Sequence, residues 1–329
     1  MVKSQNRFTD ILIIGAGMSG MAAASELSRV GLRVLVVDKG RAVGGRMASR
    51  RIGEAVFDHG AQFITARSDR FSHRMQEWCA QGAVREWCRG FSVAQNGHPR
   101  WRGNPSMTAL PKYLAEGIEV LLKTKITSIS LKGSHWSVAL EDGASISSAA
   151  VLLTAPVPQS LAMLDAGNFE MSSDVRSRLE AIQYERCLAV LAVLDGPSGM
   201  SAPGAMSFED GPLSWIVDNQ LKGISPVPCV TLHASHAFSL ENWNADRENA
   251  GKILFESAAP FVRSKMKEMQ VHGWLYSKPL RVHEEPCAVL HSQPPLVMAG
   301  DAFAGPKVEG AARSGWAAAK MLLANSSPK

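Results

Sequence analysis

Short apolar runs separated by a stretch of small residues dominate the first forty positions of the chain. Residues 11–14 are apolar and mostly β-branched and stop at Gly15, which is typical of a buried parallel strand. Residues 18–30 then carry small or apolar side chains on one helical face and end at Gly31. Because residues 34–37 form a second apolar run, the pattern predicts a strand–helix–strand unit with parallel strands.

The pattern changes after this unit. From about residue 70 to 110 the sequence is turn-rich and carries Trp78, Trp87 and Trp101, so it does not continue the alternation of strands and helices. Further strands are predicted from apolar runs at residues 118–122, 126–131, 135–140, 150–154, 188–194, 230–233 and 296–299. An alanine-rich stretch at about residues 310–323 predicts a last helix.

These changes predict an α/β protein of two domains. We expect residues 1–69, 111–156 and 287–329 to form a discontinuous Rossmann-type domain. Residues 70–110 and 157–286 are expected to form an inserted, largely antiparallel β domain. A chain of 329 residues is long enough for both domains to bury a core.

Composition and charge narrow the possible partners. Hydrophobic residues make up 46% of the chain and charged residues 20%, as in ordinary globular proteins. The net charge of +5 comes mainly from scattered basic residues. One local cluster consists of Lys39, Arg41, Arg46, Arg50 and Arg51. Because this cluster adjoins a glycine-rich turn rather than forming a long basic stripe, we expect no nucleic-acid partner.

Cysteine spacing and hydropathy indicate a cytoplasmic protein. The five cysteines form no C-x-x-C pair and are expected to be reduced thiols. Polar residues at positions 3–10 precede the first apolar run, which argues against a secretory signal. No window of eighteen consecutive apolar residues predicts a membrane span. We expect a monomer or a dimer.

The turn after the first predicted strand carries a G-x-G-x-x-G motif at residues 15–20, and Asp38 ends the next strand. Gly15 allows the tight turn, Gly17 lets a diphosphate approach the backbone, and Gly20 lets helix and strand pack closely. The helix N-terminus offers free N–H donors to phosphate, and Asp38 can accept hydrogen bonds from ribose hydroxyls. This combination predicts a dinucleotide site.

Two further motifs decide which dinucleotide is expected. Gly44-Gly45-Arg46 follows Asp38, and Gly300-Asp301 follows the last predicted strand. In both features the sequence resembles the flavin amine oxidase superfamily. The resemblance implies FAD, with the G-G-R segment along the pyrophosphate, Asp301 at the ribityl chain and the helix after Glu309 directed at the flavin ring. It also implies the FAD-binding fold shared by p-hydroxybenzoate hydroxylase and the amine oxidases.

A narrower resemblance, to the renalase family and particularly its bacterial members, extends over most of the chain. The matching runs are residues 58–67, which read D-H-G-A-Q-F-I-T-A-R, and residues 101–107, 213–216, 232–235 and 274–276. The resemblance implies an oxidase that converts the 2- and 6-dihydro isomers of NAD(P)H to NAD(P)+, with O2 reoxidising the flavin to give H2O2.

Together, the motif and the resemblance give a set of expected cofactor-binding residues. They are Gly15, Ala16, Gly17, Met18, Ser19, Gly20, Asp38, Lys39, Gly45, Arg46, Gly60, Ala61, Gln62, Gly300, Asp301, Glu309, Gly310 and Ala311. For Arg46 the alternative is a solvated surface side chain. Arg50 and Arg51 are expected to be solvated or to attract an anionic substrate.

No side chain is assigned a catalytic role, and no metal site is expected, because the sequence shows no metal-ligand cluster and no nucleophile motif. Four residues are candidates for the substrate pocket. Gln62 could contact flavin or substrate, or could satisfy a loop backbone instead. Trp215 and Trp274 could stack on a planar ring or fill a core, and His233 could line the pocket or be a hydrogen-bonded core histidine.

Two alternatives to a dihydronicotinamide oxidase remain open. One is another flavoenzyme of the superfamily that acts on an amine, a polyene or another small substrate. Against it, no lysine stands in a context that matches the lysine found near the flavin in amine oxidases. The other is a protein that binds FAD without catalysis, which binding motifs alone do not exclude.

Overall fold

A computed structural model describes residues 7–91 and 97–325 of the chain. Along the described residues the strands are β1 Arg7–Ile14, β2 Val34–Val37, β3 Ser49–Ile52, β4 Ala55–Asp58, β5 Val84–Cys88, β6 Arg100–Gly103, β7 Glu119–Leu121, β8 Ile126–Lys132, β9 His135–Leu140, β10 Ser145–Leu153, β11 Tyr184–Leu194, β12 Ala205–Ser207, β13 Leu213–Asp218, β14 Cys229–Ala234, β15 Met266–Pro279, β16 Ala288–His291 and β17 Leu296–Met298. The α-helices are α1 Met18–Arg29, α2 Asp69–Ala80, α3 Ala109–Leu114, α4 Val157–Ala166, α5 Ser173–Glu180, α6 His236–Glu241, α7 Arg247–Ser257, α8 Asp301–Ala304 and α9 Val308–Asn325. A short 3-10 helix covers Gly45–Met47.

The chain divides into two compact units. The first unit takes the described residues of 1–45, 111–183 and 279–329, and the second takes those of 46–110 and 184–278. A discontinuous arrangement of this kind is what the sequence predicts. In the part of the chain that the structure describes, no helix combines the length and the apolar character that crossing a membrane requires.

The first unit is built on an eight-stranded sheet. Its main path has the order β16-β17-β10-β1-β2-β7, and the β8-β9 hairpin joins it through β10. The pairs β1-β10, β1-β2, β10-β17 and β2-β7 are parallel. Because both faces of a parallel sheet are covered, the inner parts of its strands are apolar, and Ile11, Leu12, Ile13 and Val36 are all buried. The predicted strand–helix–strand unit is therefore confirmed as β1-α1-β2.

The second unit contains a five-stranded sheet of order β12-β13-β14-β11-β15. The pairs β12-β13, β13-β14 and β11-β14 are antiparallel. Side chains alternate along these strands, so that Val190 and Leu232 pack with Leu254 of α7 on one face of the sheet. The predicted fold class, a Rossmann-type domain with an antiparallel second domain, is confirmed.

The boundaries of the units differ from those predicted in three segments, and one of them is residues 279–286, which belong to the first unit. Residues 46–69 belong to the second unit, because the β3-β4 hairpin buries Phe57 in a cluster with Leu191 of β11. Residues 157–183 belong to the first unit, where α4 packs against β8. At the end of α4, a Cβ on Gly167 would stand 1.8 Å from the carbonyl oxygen of Ile129, so only glycine allows this approach.

Candidate cofactor and substrate sites

The turn between β1 and α1 is formed by the G-x-G-x-x-G motif. Gly15 has a φ of +113°, which favours glycine, and a Cβ there would lie 2.6 Å from Thr154 Oγ1. A Cβ on Gly20 would lie 2.0 Å from the carbonyl oxygen of Gly15. Around Gly17, by contrast, a Cβ would meet nothing within 4 Å. The backbone is thus closed at Gly15 and Gly20 and open at Gly17, where a diphosphate is expected to approach.

The N-terminus of α1 offers donors that suit an anion. Gly17 is the N-cap and provides no side-chain hydrogen bond, and the first turn carries no acidic residue. The Oγ of Ser19 is buried and has no hydrogen-bond partner among the described residues. Unsatisfied N–H groups, the helix dipole and a free hydroxyl together fit a phosphate group.

Asp38 directly follows β2 and is held by two backbone amides. The N–H of Ala16 donates to Asp38 Oδ2 at 2.7 Å, and the N–H of Gly40 donates to Oδ1 at 2.6 Å. Each carboxylate oxygen has a second lone pair, which can accept a hydroxyl of an adenosine ribose. The neighbouring Lys39 donates its Nζ to Gln159 of α4 at 3.2 Å, so its expected contact with the cofactor stays a prediction.

Gly44 and Gly45 lie directly against the phosphate turn. The N–H of Gly44 donates to the carbonyl of Ala16 at 2.8 Å, and a Cβ on Gly45 would stand 3.3 Å from the Cα of Gly17. Arg46 begins the second unit and donates from Nη1 to the carbonyls of Tyr276 and Ser277 at 3.3 and 3.2 Å. The Arg46 guanidinium therefore makes hydrogen bonds within β15, and its expected contact with pyrophosphate stays a prediction.

The motif near the C-terminus lies in the same unit as the N-terminal one. Gly300, with a φ of +147°, precedes α8, and its N–H donates to Ser314 Oγ at 2.8 Å. A Cβ on Gly315 would stand 2.2 Å from the carbonyl oxygen of Ser19, so α9 packs directly on the backbone of α1. Residues about 300 positions apart in sequence are thereby brought together.

The remaining expected cofactor residues are placed as follows. Asp301 and Glu309 are both largely buried, with 8% of each exposed. A Cβ on Gly310 would stand 2.1 Å from the carbonyl oxygen of Gly305, which fixes the start of α9, and the N–H of Ala311 donates to the carbonyl of Lys307. Met18 is buried in α1.

In the second unit, the loop after β4 gathers the four candidate pocket residues. Gln62 donates from Nε2 to the carbonyls of Asp58 and Gly60 at 2.7 and 3.0 Å, and the same nitrogen lies 3.4 Å from His233 Nε2. Gln62 thus satisfies a loop backbone, the alternative weighed above, while still touching His233.

The carbonyl oxygen of His59 is the common contact of the other candidates. It accepts a hydrogen bond from Trp274 Nε1 at 2.8 Å and lies 3.2 Å from His233 Nε2. Trp215 of β13 lies directly opposite His233 of β14 in the sheet register. One face of the sheet therefore presents Trp215, His233 and Trp274 together, with Gln62 beside them.

Gly60 and Ala61, both expected to bind the cofactor, pack on the backbone of Arg46. A Cβ on Gly60 would stand 2.0 Å from the Arg46 carbonyl oxygen, which also accepts the N–H of Ala61 at 2.8 Å. This contact fixes the loop that carries His59 and Gln62.

An ion pair that the sequence does not reveal lies beneath this loop. Lys222 Nζ is 2.7 Å from Asp58 Oδ2 and 3.4 Å from Gln62 Oε1, and the side chains of Lys222 and Asp58 are both fully buried. Burial lowers the pKa of Lys222, although the adjacent Asp58 opposes the shift. Asp58 Oδ1 also accepts hydrogen bonds from Ser49 Oγ and the N–H of Met107.

Three histidines of this region are uncharged near neutral pH. Burial lowers the pKa of His59 to about 3, helped by His272 and Arg50. Burial likewise lowers the pKa of His233 and of His272 to about 4. The rings of His59, His272 and Trp274 lie 4.3 to 5.1 Å apart. The result is a neutral, largely aromatic surface suited to a planar ring.

Trp215 also belongs to an aromatic cluster. Its ring lies 5.7 Å from Phe63 and 4.8 Å from Phe91, and Phe91 lies 5.6 Å from Trp87. Only 8% of Trp215 is exposed, so it fills this cluster as well as facing His233. Its Nε1 is buried without a hydrogen-bond partner in the described part of the chain.

One surface cleft lies apart from the motif residues, and the described residues form no candidate metal site. An open cleft of about 660 Å³ in the first unit is lined by residues such as Asp10, Leu32 and Pro294, and contains no motif residue. Over residues 7–91 and 97–325, no group of three histidine, cysteine or acidic side chains could hold a metal ion.

Comparison with known proteins agrees with these features. The profile of a family described as NAD(P)-binding Rossmann-like domain matches residues 13–80, and that of flavin containing amine oxidoreductase matches residues 76–323. Renalase of Mus musculus is 25% identical over 95% of this chain and 98% of its own length. An L-amino acid dehydrogenase of Synechocystis sp. is 37% identical over 21% of this chain and 15% of its own. A solved putrescine oxidase variant has a TM-score of 0.71 at 15% identity and covers 97% of this chain and 100% of that one, which is a likeness of fold.

Proposed function

Because the chain belongs to the flavin-containing amine oxidoreductase family, and is therefore an FAD-dependent oxidoreductase, we propose that its substrate is an isomeric dihydronicotinamide dinucleotide. The 2- or 6-dihydro form of NAD(P) is oxidised to NAD(P)+. In the complete reaction, one dihydro substrate, one O2 and one proton give one NAD(P)+ and one H2O2. The full-length similarity to renalase supports this choice.

FAD, when bound, supplies the acceptor for a hydride from the substrate and returns both electrons to O2. The residues of the first unit fit this cofactor. The open backbone at Gly17 and the free Ser19 hydroxyl would hold the diphosphate, and Asp38 would hold the adenosine ribose. The Gly300 turn and α9 are anchored to the same region by Ser314 and Gly315.

The observation that carries the proposal is the neutral aromatic face of the second unit. Trp215 and Trp274 provide flat apolar surfaces, and His233 between them has a pKa of about 4 and is uncharged. A dihydronicotinamide loses a hydride without first losing a proton, so it needs a dry surface and correct orientation rather than a strong base. These residues supply that surface.

An amine substrate would require a negatively charged group at this face. A protonated amine is best held by a carboxylate, and Asp58, the carboxylate beside Gln62, is already paired with Lys222 at 2.7 Å. Lys222 is itself buried and bound to that partner. The contacts of this loop therefore favour a neutral planar ring over a cationic amine.

The test is anaerobic stopped-flow mixing of the FAD-loaded protein with each separated substrate while flavin absorbance is followed. We expect rapid bleaching by the 2- or 6-dihydro isomers and slow bleaching by ordinary 4-dihydro NAD(P)H. A misplacement of about 1 Å at the reacting carbon can cost roughly a hundredfold in rate, which is the difference expected between isomers.

The same experiment separates the alternatives. Fast bleaching by a primary amine with none by the dihydro isomers would assign the chain to amine oxidation. Reduction by dithionite with no response to any of these substrates would identify a flavoprotein without this catalytic activity. Either result would refute the proposed substrate.

A further inference from the structure

The loop of residues 58–62 rests on the buried ammonium group of Lys222. Lys222 Nζ lies 2.7 Å from Asp58 Oδ2 at the start of the loop and 3.4 Å from Gln62 Oε1 at its end. The side chain of Lys222 has no exposed surface, so it does not itself reach a ligand on the aromatic face. Any effect of Lys222 on substrate binding therefore passes through its two partners.

The ammonium group of Lys222 fixes the direction of the Gln62 amide. It attracts Oε1, and Nε2 then donates to the carbonyl oxygens of Asp58 and Gly60 at 2.7 and 3.0 Å. With the amide reversed, its oxygen would face two carbonyl oxygens and its N–H2 group would face an ammonium group. Gln62 thus holds the two carbonyl groups on either side of that of His59.

The carbonyl group of His59, held in this way, faces two side-chain nitrogens. Its oxygen accepts a hydrogen bond from Trp274 Nε1 at 2.8 Å and lies 3.2 Å from His233 Nε2. Both protons of the Gln62 amide nitrogen go to carbonyl oxygens, so its 3.4 Å contact with His233 Nε2 adds no hydrogen bond. A neutral imidazole that faces a carbonyl oxygen through Nε2 carries its proton on that nitrogen.

His233 therefore has one ring nitrogen without a proton. Burial lowers the pKa of His233 to about 4, the contact with His59 opposes that shift and the charge of Lys222 adds to it, so the ring is neutral near pH 7. In the described part of the chain both polar contacts of the ring are made by Nε2, which leaves Nδ1 as an acceptor. The side chain is only half-buried, so part of it stays open to a ligand on the aromatic face.

We propose that Lys222 and Gln62 are positioning residues for the substrate. They hold the His59 carbonyl group so that it takes the Nε2 proton of His233, and Nδ1 of His233 then accepts a hydrogen bond from the carboxamide N–H2 of the dihydronicotinamide. The inference rests on the proposed function, because it takes that ring to lie on the neutral aromatic face. His233 is then the residue that distinguishes a nicotinamide from a ring of the same shape without an N–H donor.

The first test observes the tautomer of His233. Oxidised, FAD-loaded protein with isotope-labelled histidine is studied by long-range proton–nitrogen NMR at neutral pH, and the His233 signals are identified by their loss in His233→Gln. We expect a protonated Nε2 and an unprotonated Nδ1. A proton on Nδ1, or a ring that carries both protons, would overturn the proposal.

Two variants test the positioning role in the same NMR experiment. Gln62→Met removes the amide and leaves the ion pair of Lys222 and Asp58 in place. The double variant Lys222→Met with Asp58→Asn removes both charges, so no buried charge is left unpaired. In both proteins the His59 carbonyl group loses its support, and His233 should become a mixture of tautomers.

Lys252→Met is the matched control. Lys252 is an exposed lysine of the same unit and is paired with Glu248 at 2.6 Å. His233 should keep a protonated Nε2 in this variant. The same tautomer in Gln62→Met and in the double variant would refute the positioning role, and a mixture in Lys252→Met as well would contradict it.

The second test measures whether His233 recognises the carboxamide. NAD+ and its 3-acetylpyridine analogue, in which a methyl group replaces the amide nitrogen, are titrated by calorimetry into oxidised, FAD-loaded protein. NAD+ should bind about three- to tenfold more tightly, as expected for one hydrogen bond. Because the two ligands have the same charge and nearly the same shape, general damage to the fold leaves the ratio of their affinities unchanged. Equal affinity in the unsubstituted protein, or binding of neither ligand, would refute the contact.

Two substitutions of His233 separate the roles of its ring nitrogens. In His233→Asn the amide lies near the place of Nδ1, where its oxygen accepts the same hydrogen bond, so the preference for NAD+ should persist. In His233→Gln the amide lies near the place of Nε2 and leaves no acceptor at Nδ1, so the preference should vanish. A preference kept in His233→Gln and lost in His233→Asn would contradict the proposal.

Flavin bleaching distinguishes failure of this proposal from failure of the proposed function. If no dihydro isomer bleaches the flavin of the unsubstituted protein, the proposed function fails, and NMR still decides the tautomer of His233. If the isomers bleach the flavin but Nδ1 carries the proton, the proposed function stands and the positioning role is refuted.

Discussion

The two units position their functional groups by different physical means. In the first, the arrangement depends on backbone atoms and on the absence of side chains, as at Gly20, where a Cβ would lie 2.0 Å from a carbonyl oxygen. In the second, it depends on long-range side-chain contacts, above all the buried pair of Lys222 and Asp58. In the first unit a Cβ added at Gly20 would disrupt the turn, and in the second the loss of one partner would leave the other charge buried and unpaired.

The largest effect is expected at the buried ion pair. Lys222→Met leaves the Asp58 carboxylate buried without its counter-ion, which should lower the free energy of unfolding by about 3–5 kcal/mol. The double variant Lys222→Met with Asp58→Asn should recover a large part of that loss, because no charge then remains unpaired. Urea unfolding of the three proteins measures both quantities. A double variant no more stable than Lys222→Met would show that the side chains act independently.

A pair of glycine substitutions tests the first unit. Gly20→Ala forces the phosphate turn apart and should cost about 1–3 kcal/mol of stability in the apoprotein. Gly17→Ala is the matched control, because an added Cβ there meets nothing within 4 Å and should leave apoprotein stability nearly unchanged.

FAD titration of the two apoproteins sharpens this test. Gly17→Ala should bind FAD more weakly than the unsubstituted protein, because the methyl group occupies the space through which the diphosphate approaches the backbone. Thermal unfolding without FAD and titration with it separate the two effects. Unchanged FAD affinity in Gly17→Ala would place the diphosphate elsewhere.

The smallest effect near neutral pH concerns the histidines of the second unit. His59, His233 and His272 have folded pKa values of about 3, 4 and 4, below the unfolded value of about 6.5. Between these values the unfolded chain binds more protons, so stability is full above pH 6.5 and falls as the pH drops towards about 4. His272→Asn should reduce the slope of unfolding free energy against pH in this window, and an identical slope would show that His272 is charged in the folded protein.

The first unit could be predicted from sequence because its signals are local. The motif lies within 24 residues and consists of Gly15, Gly17, Gly20 and Asp38. Its glycines are required by the backbone of the turn, and Asp38 is required as a hydrogen-bond acceptor. The contact of Gly315 with Ser19 could be expected only from the resemblance, since no spacing rule links two helices so far apart. The burial of Lys222 could not be predicted from the sequence, because it depends on the ion pair with Asp58, 164 residues away.

The domain boundaries also depend on contacts between residues that are distant in sequence. Residues 46–69 follow the phosphate motif in sequence, which predicts that they fold with it. Phe57 instead packs against Leu191 of β11. Membership of a unit is decided by packing between distant segments, which hydrophobic pattern alone does not specify. Trp215 and His233 lie opposite each other on neighbouring strands, and their place in a substrate pocket stays a prediction.

The contact between α1 and α9 has a consequence for biosynthesis. The phosphate turn is complete as a sequence after 45 residues, yet Ser19 meets its packing partner only when Gly315 has been translated. Chains are made from the N-terminus, so of the three segments of the first unit the one that carries α9 is synthesised after the other two. Until then the buried residues of α1 lack the packing that α9 gives them in the folded unit.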